Sequence, residues 1–310
     1  MTAAFVFPGQ GSQAVGMGKG LAEAFPVARR VFEQVDEALD ERLSGIIWDG
    51  PADSLTLTEN AQPALMAVSL AAMRVLETEA GVELSRDAAY VAGHSLGEYS
   101  ALAAARSLSI ADAARLLRIR GSAMQKAVPV GVGAMAALIG LELDEAKAVA
   151  AEAATQGVAA AANDNGGGQV VLSGEKAAIE IAKARGAKRA LLLPVSAPFH
   201  CPLMQPAADA MAEALAKVSI ASPVVPVVTN VLARPIGEPA EIVRCLVEQV
   251  TGTVRWRESV LFMAQAGVTS FYEVGSGKVL TGLIKRIADG AAVSAIGTPE
   301  DIARFKASRG

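Results

Sequence analysis

Between residues 88 and 106 the chain reads AAYVAGHSLGEYSALAAAR: an apolar strand-forming run, then Gly93-His94-Ser95-Leu96-Gly97, then a stretch of good helix formers. This is a G-x-S-x-G elbow in the strand–turn–helix context it requires. A side chain at either glycine would crowd the tight backbone, and the strained turn projects Ser95 from a helix N-terminus. There the amide of Leu96 and the helix dipole favour a developing oxyanion. Ser95 is therefore the expected nucleophile. An ordinary helix-capping serine is the alternative, and the flanking strand and helix weigh against it.

Strand-like runs alternate with helical patterns along most of the chain. Ala3–Phe7 is followed by a helix near 62–82, strand-like Ala88–Ala92, helices near 96–106 and 110–126, and later strand-like Pro226–Thr229, Ser270–Val274 and Val293–Ile296. That alternation predicts an α/β fold with a mainly parallel, α/β-hydrolase-like sheet. Residues 130–198 read differently: strand 134–139, helix 143–156, strands 158–163 and 169–173, helix 175–185 and strand 189–195. The order βαββαβ predicts a smaller ferredoxin-like subdomain at 130–198, inserted into a larger catalytic domain made of 1–129 and 199–310. A cleft between the two is where a small ligand is expected.

With 52% hydrophobic and 19% charged residues, the chain is too apolar for disorder and can bury a large core. Its net charge of −4 argues against a nucleic-acid partner. The opening MTAAFVFPGQGSQ lacks the basic and apolar regions of an export signal, and later apolar runs are broken by charge, Gly or Pro, so no membrane span is expected. Two cysteines, Cys201 and Cys245, form no disulfide framework and fit a cytoplasmic location.

A serine nucleophile needs a base, and only His94 and His200 are available. In an extended strand neighbouring side chains point apart, which makes His94, adjacent to Ser95, the poorer candidate. His200, in the loop PVSAPFHCPLM, is the better one. No acid close in sequence offers itself as a third triad member, leaving a backbone carbonyl as an alternative orienting group. In SIADAARLLRIRGSAMQK, a helix opened by Ser109 and Asp112, Arg120 falls with Ala113, Leu116, Leu117 and Met124 on the apolar face. A buried guanidinium must meet an anion, either a structural acid or a substrate carboxylate. The loop Gly9-Gln10-Gly11-Ser12-Gln13-Ala14 formally fits a dinucleotide fingerprint, but the charged helical VFEQVDEALDERL stands where a second strand should end in a ribose-binding acid. A tight loop donating amides near the serine is the more economical role.

Taken together, FPGQGSQ (7–13), ENAQPAL (59–65), GHSLGEYSAL (93–102), RG (120–121), QVVLSG (169–174), PFHCPLM (198–204) and EVGSGKVL (273–280) resemble, in type and order, the malonyl-CoA:acyl carrier protein transacylase family. The resemblance covers essentially the whole chain. It implies ping-pong transfer of a malonyl group from malonyl-CoA to the phosphopantetheine thiol of an acyl carrier protein, in fatty-acid or polyketide synthesis, through a Ser95–His200 dyad. It implies that a main-chain carbonyl near Gln249 orients the imidazole, that the Gln10 and Leu96 amides form the oxyanion hole, and that Arg120 grips the malonyl carboxylate. His94, Gln62 and Asn163 match motif positions near the substrate, and no metal or redox cofactor is implied. Phe199 and Leu96 fit the pattern that accompanies malonyl preference in related polyketide acyltransferases. Asn163-Asp164-Asn165-Gly166-Gly167-Gly168 is more glycine-rich than the family's N-x-P-G. An elbow by itself also serves hydrolysis of acyl thioesters, which is the rival activity. Because carrier proteins are acidic, docking calls for local positive charge, and two clusters qualify: Lys183, Arg185, Lys188 and Arg189, or Lys285 and Arg286.

Overall fold

The structure, a computed structural model, describes residues 2–129, 131–184, 188–195 and 197–309. Its strands, among the described residues, are β1 (Ala3–Phe7), β2 (Tyr90–Gly93), β3 (Gly133–Ile139), β4 (Ala159–Asp164), β5 (Gln169–Glu175), β6 (Arg189–Leu192), β7 (Val227–Val228), β8 (Pro235–Ile236), β9 (Ser270–Val274) and β10 (Ala292–Ile296). They form two separate sheets in a mixed α/β architecture. The first has the order β10-β9-β1-β2-β7-β8 and is parallel except where β8 runs against β7. All five residues of β1, AAFVF, are buried, as a strand covered by helices on both faces requires. The second sheet, β4-β5-β3-β6, is antiparallel throughout. Helices Leu143–Ala153 and Lys176–Lys183 cover it with a core of their own, including Leu138, Leu172 and Ile179.

Where element boundaries differ from the sequence reading, proline accounts for two of the differences. The helix expected near 62–82 spans Thr58–Glu79 and carries Pro63 inside it. Proline removes one helical N–H, yet burial of Thr58 and of every residue from Asn60 through Met73 offsets that loss. Gln62 thereby sits on the helix, fully inside. The strand expected to reach 195 stops at Leu192 because Pro194 has no N–H for the ladder. Helix 143–156 ends at Ala153 and continues as a single 3-10 turn, Ala154–Gln156. The helix expected to reach 185 ends at Lys183, and Arg185 lies outside the described residues.

Two packing features lock these layers together. The outer edge of β4 is tied to the chain leading into helix Trp256–Gln265: Val254 N donates to Ala162 O at 2.8 Å and Asp164 N to Val254 O at 2.9 Å. The largely buried Asp164 carboxylate then pairs with Arg257 Nε at 2.8 Å. Helix Thr58–Glu79 also crosses helix Ile110–Lys126 at Gly121, where an added Cβ would stand 2.6 Å from both Glu59 Cα and Thr58 O. Backbone cannot yield as a side chain tip can. Gly121→Ala should therefore destabilise the fold by about 1–2 kcal/mol despite alanine's better helix propensity. Thermal unfolding of the purified variant checks this; an unchanged or raised midpoint would contradict it.

Candidate active site

Ser95 has φ of 52°, in the left-handed region that a non-glycine residue occupies at a cost of about 1–3 kcal/mol. The surrounding glycines fix it there. A Cβ on Gly93 would lie 1.9 Å from the Gly97 carbonyl carbon, and one on Gly97 would lie 2.2 Å from Phe7 O. The elbow is thus wedged between β1 and helix Gly97–Ala104, with Ser95 facing a cavity of about 440 Å³. His200 is also left-handed, with φ of 57°, in the loop that follows the second sheet.

Ser95 Oγ lies 2.8 Å from His200 Nε2, and His200 Nδ1 lies 2.8 Å from the main-chain oxygen of Gln249. A carbonyl can only accept, so Nδ1 carries the proton and Nε2 is free to take one from Ser95. Gln249 is on helix Pro239–Thr251, far from both residues in sequence. Burial and the neighbouring Arg120 cation pull the His200 pKa down to about 3.

Arg120 is only 1% exposed. Its Nη1 donates to Gln62 Oε1 at 2.8 Å, and its Nη2 donates to Gln249 Oε1 at 2.9 Å and to Ser95 Oγ at 3.1 Å. Among the described residues no carboxylate forms a direct ion pair with it; the one buried acid that acts on it, Glu98, does so through space from behind the Gln249 amide. Two amide oxygens and a hydroxyl solvate the guanidinium instead, and its Nε has no partner among the described residues. Burial lowers the Arg120 pKa, although a guanidinium remains charged at any working pH.

The remaining sequence candidates divide clearly. Gln10, Gln62, His94 and Asn163 all line the cavity with Ser95, Arg120, Phe199 and His200. Leu96 is buried behind the serine, and neither its amide nor that of Gln10 has an acceptor among the described residues. His94 Nε2 lies 2.9 Å from Asn165 Oδ1, and Gly9 packs against the His94 main chain. No helix follows the Gly9–Ala14 loop until Lys19, which leaves a dinucleotide phosphate without the helix N-terminus it needs. Lys188, Arg189, Lys285 and Arg286 stand outside the cavity, all exposed. The two clusters, separate in sequence, flank one turn. The Lys188 stem packs on Gly140, Gly140 N donates to Gly168 O at 2.7 Å, and Gly167 packs on Arg286, whose Nη2 reaches Gln169 Oε1 at 3.3 Å. Lys183 is paired with Glu180 at 2.9 Å.

Sequence reasoning missed Glu98, Asn230 and the Gln249 side chain, which lie beneath the elbow. Asn230 Oδ1 accepts from Ser95 N at 2.7 Å, and its Nδ2 donates to Gly93 O at 2.6 Å. A carboxylate in the otherwise apolar run GEYSALAA was the one signal available for Glu98.

The fold and this serine–histidine pair define an acyltransferase: residues 4–298 match the acyl transferase domain family. The chain is 48% identical over 305 residues to the malonyl CoA-acyl carrier protein transacylase of Escherichia coli strain K12, covering 97% of each. The acyl-carrier-protein-S-malonyltransferase of Bartonella henselae superposes with a TM-score of 0.96 at 56% identity, covering 99% of each chain. A malonyl-transacylase solved in complex with its type II PKS acyl-carrier protein superposes with a TM-score of 0.94 at 41% identity, over 99% of this chain and 100% of that one. The chain belongs to the malonyl-CoA:acyl carrier protein transacylase family.

Because the folded His200 pKa is depressed, the imidazole stays neutral, and able to accept a proton, well below 6.5, the ordinary histidine value. The rate of Ser95 phosphonylation by a fluorophosphonate probe should accordingly show no fall on passing from pH 7.5 to about pH 6, and should decline only at lower pH. A half-maximum near pH 6.5 would contradict this.

Proposed function

We propose that the protein transfers a malonyl group from malonyl-CoA to the phosphopantetheine thiol of an acyl carrier protein, through a malonyl ester on Ser95. The observation that carries this is Arg120: a permanent cation, buried beside the nucleophile and hydrogen-bonded to neutral groups alone among the described residues, is a ready partner for an acyl group that ends in a carboxylate. Transfer to water, the rival activity, would use the same cation; it is not favoured because the relatives at 48% identity are malonyl CoA-acyl carrier protein transacylases and a superposing malonyl-transacylase was solved with its acyl-carrier protein.

His200 Nε2 takes the Ser95 proton as Oγ attacks the thioester carbonyl carbon. The Gln10 and Leu96 amides receive the negative oxygen. The C–S bond then breaks, and His200 returns the proton to the departing coenzyme A thiolate. In the second half His200 deprotonates the pantetheine thiol, sulfur attacks the ester, and Ser95 leaves with its proton restored. The malonyl carboxylate displaces the Arg120–Ser95 contact and offsets the Arg120 share of the His200 depression, while burial, the larger cause, stays. Gln62 holds Arg120 from the other side, while His94 and Asn163 border the acyl and pantetheine path. These steps require no metal or redox cofactor.

The finer architecture is part of the same proposal. Strand order β4-β5-β3-β6 with two helices on one face supports a ferredoxin-like subdomain at 130–198, and the elbow at the end of β2 supports a hydrolase-like larger domain of 1–129 and 199–310. No helix among the described residues is long and apolar enough to cross a membrane. Two free, buried cysteines support a cytoplasmic location. Lys188, Arg189, Lys285 and Arg286, on either side of the Gly166–Gly168 turn, form the docking surface for the acidic carrier.

Malonyl-CoA alone should leave an ester on Ser95, absent in Ser95→Ala and located by peptide mass mapping. Arg120→Ala should lower kcat/KM for malonyl relative to acetyl transfer by about two orders of magnitude; equal losses for the two substrates would refute carboxylate recognition. Reversing Lys285 and Arg286 to Glu should raise the KM for the carrier by about tenfold at low salt and flatten its salt dependence, with Ser95 acylation unchanged. Slowed acylation would assign these residues to coenzyme A instead.

A further inference from the structure

Glu98 is 1% exposed on helix Gly97–Ala104, one turn beyond the nucleophile, and it does not face the cavity. Its Oε2 accepts two hydrogen bonds of 2.9 Å, from the main-chain N–H of Asn230 and from Gln249 Nε2. Each donor leads directly to a reacting group. Asn230 uses its side-chain oxygen to hold Ser95 N and its side-chain nitrogen to hold Gly93 O, so it clamps both sides of the strained elbow. Gln249 uses its main-chain oxygen on His200 Nδ1 and its side-chain oxygen on Arg120 Nη2, and its Nε2 also reaches Ser95 O at 3.1 Å.

The chemistry of the Gln249 amide shows what Glu98 contributes. An amide turned by 180° would present NH2 to Arg120, donor against donor, and would leave the guanidinium short of an acceptor. Arg120 can only donate, and three acceptors face the amide nitrogen: Glu98 Oε2 at 2.9 Å, Ser95 O at 3.1 Å and Asn230 Oδ1 at 3.3 Å. The Asn230 main-chain N–H holds Glu98 Oε2 as an acceptor, so Glu98 makes the shortest of these contacts and reinforces the orientation with nitrogen toward Glu98 and oxygen toward Arg120. We infer that Glu98 is a positioning residue for the transfer reaction: it sets the Asn230 clamp and the Gln249 amide, and through them fixes Ser95, His200 and Arg120 relative to one another. Charge is secondary to this role. Burial raises the Glu98 pKa to about 7, and a protonated carboxyl keeps a carbonyl oxygen with which to accept.

The inference rests on the proposed malonyl transfer, which the wild-type protein tests separately: a wild type that forms no malonyl ester overturns that function, whatever the variants do. Given an active wild type, Glu98→Asp and Glu98→Gln decide the positioning role. Aspartate keeps the charge but withdraws the oxygen by one methylene. It should lower kcat for malonyl transfer by about 30-fold, with KM for malonyl-CoA changed less than about threefold, at a temperature where the variant is fully folded. Glutamine keeps an acceptor oxygen at full reach and should stay within about fivefold of wild type. In Gln249→Leu, which keeps the main-chain carbonyl and removes the amide, adding Glu98→Asp should cost at least about tenfold less than it does in wild type. Fluorophosphonate labelling of Ser95, which needs no acyl donor, should slow in Glu98→Asp alongside kcat. Wild-type kcat and labelling in Glu98→Asp, equal losses in Asp and Gln, or strictly additive effects with Gln249→Leu would each overturn the inference.

Discussion

A guanidinium held out of water, with no carboxylate in direct contact among the described residues, imposes order on everything within its reach. Arg120 cannot discharge itself by losing a proton, so its solvation must come from dipoles whose oxygens point inward and stay there. Gln62 comes from one helix, Gln249 from another and Ser95 from the elbow, and all three turn an oxygen toward the same cation. An acid in their place would have made a stable ion pair and closed the site to an anionic acyl group. Neutral hydrogen-bond partners leave the guanidinium without a direct counter-ion, and a carboxylate that enters supplies one.

The same charge shapes the base. A buried histidine next to a cation resists protonation, and among the described residues Nδ1 is held by a main-chain carbonyl, not by a carboxylate. The resting dyad is therefore poised as a neutral acceptor rather than as half of an ion pair. Backbone strain supports this arrangement: two left-handed residues, Ser95 and His200, face one another, and the elbow that carries Ser95 is held by contacts that a side chain at Gly93 or Gly97 would destroy. The second sheet completes the enclosure. Its β4 edge is stitched to the segment that precedes helix Trp256–Gln265, which brings Asn163 to the cavity and Asn165 to His94.

What was legible in the sequence was local or periodic. The elbow announces itself because strand, glycines, serine and helix are contiguous, and their conflict with ordinary backbone geometry is resolved in one way. Arg120 announces itself because a helix repeats every 3.6 residues, so one charged residue on an apolar face is visible without a structure. His200 could be nominated because the chain has only two histidines. Element ends were less legible, since Pro63 and Pro194 act in opposite senses: one is absorbed into a buried helix, the other releases a strand from its ladder.

By itself, then, the sequence determined the identity of the nucleophile's turn, the layered α/β alternation and the presence of an inward-facing cation. Tertiary structure alone decided who meets whom. That Arg120 is met by glutamines and not by an acid, that Glu98 lies beneath the elbow between Asn230 and Gln249, and that two basic clusters far apart in the chain flank a single glycine turn all depend on contacts between distant segments. The physical reason is one of range. Steric and periodic rules act over a few residues and are written in the local sequence, whereas the solvation of a buried charge is a sum over whatever the packed chain brings within hydrogen-bond distance.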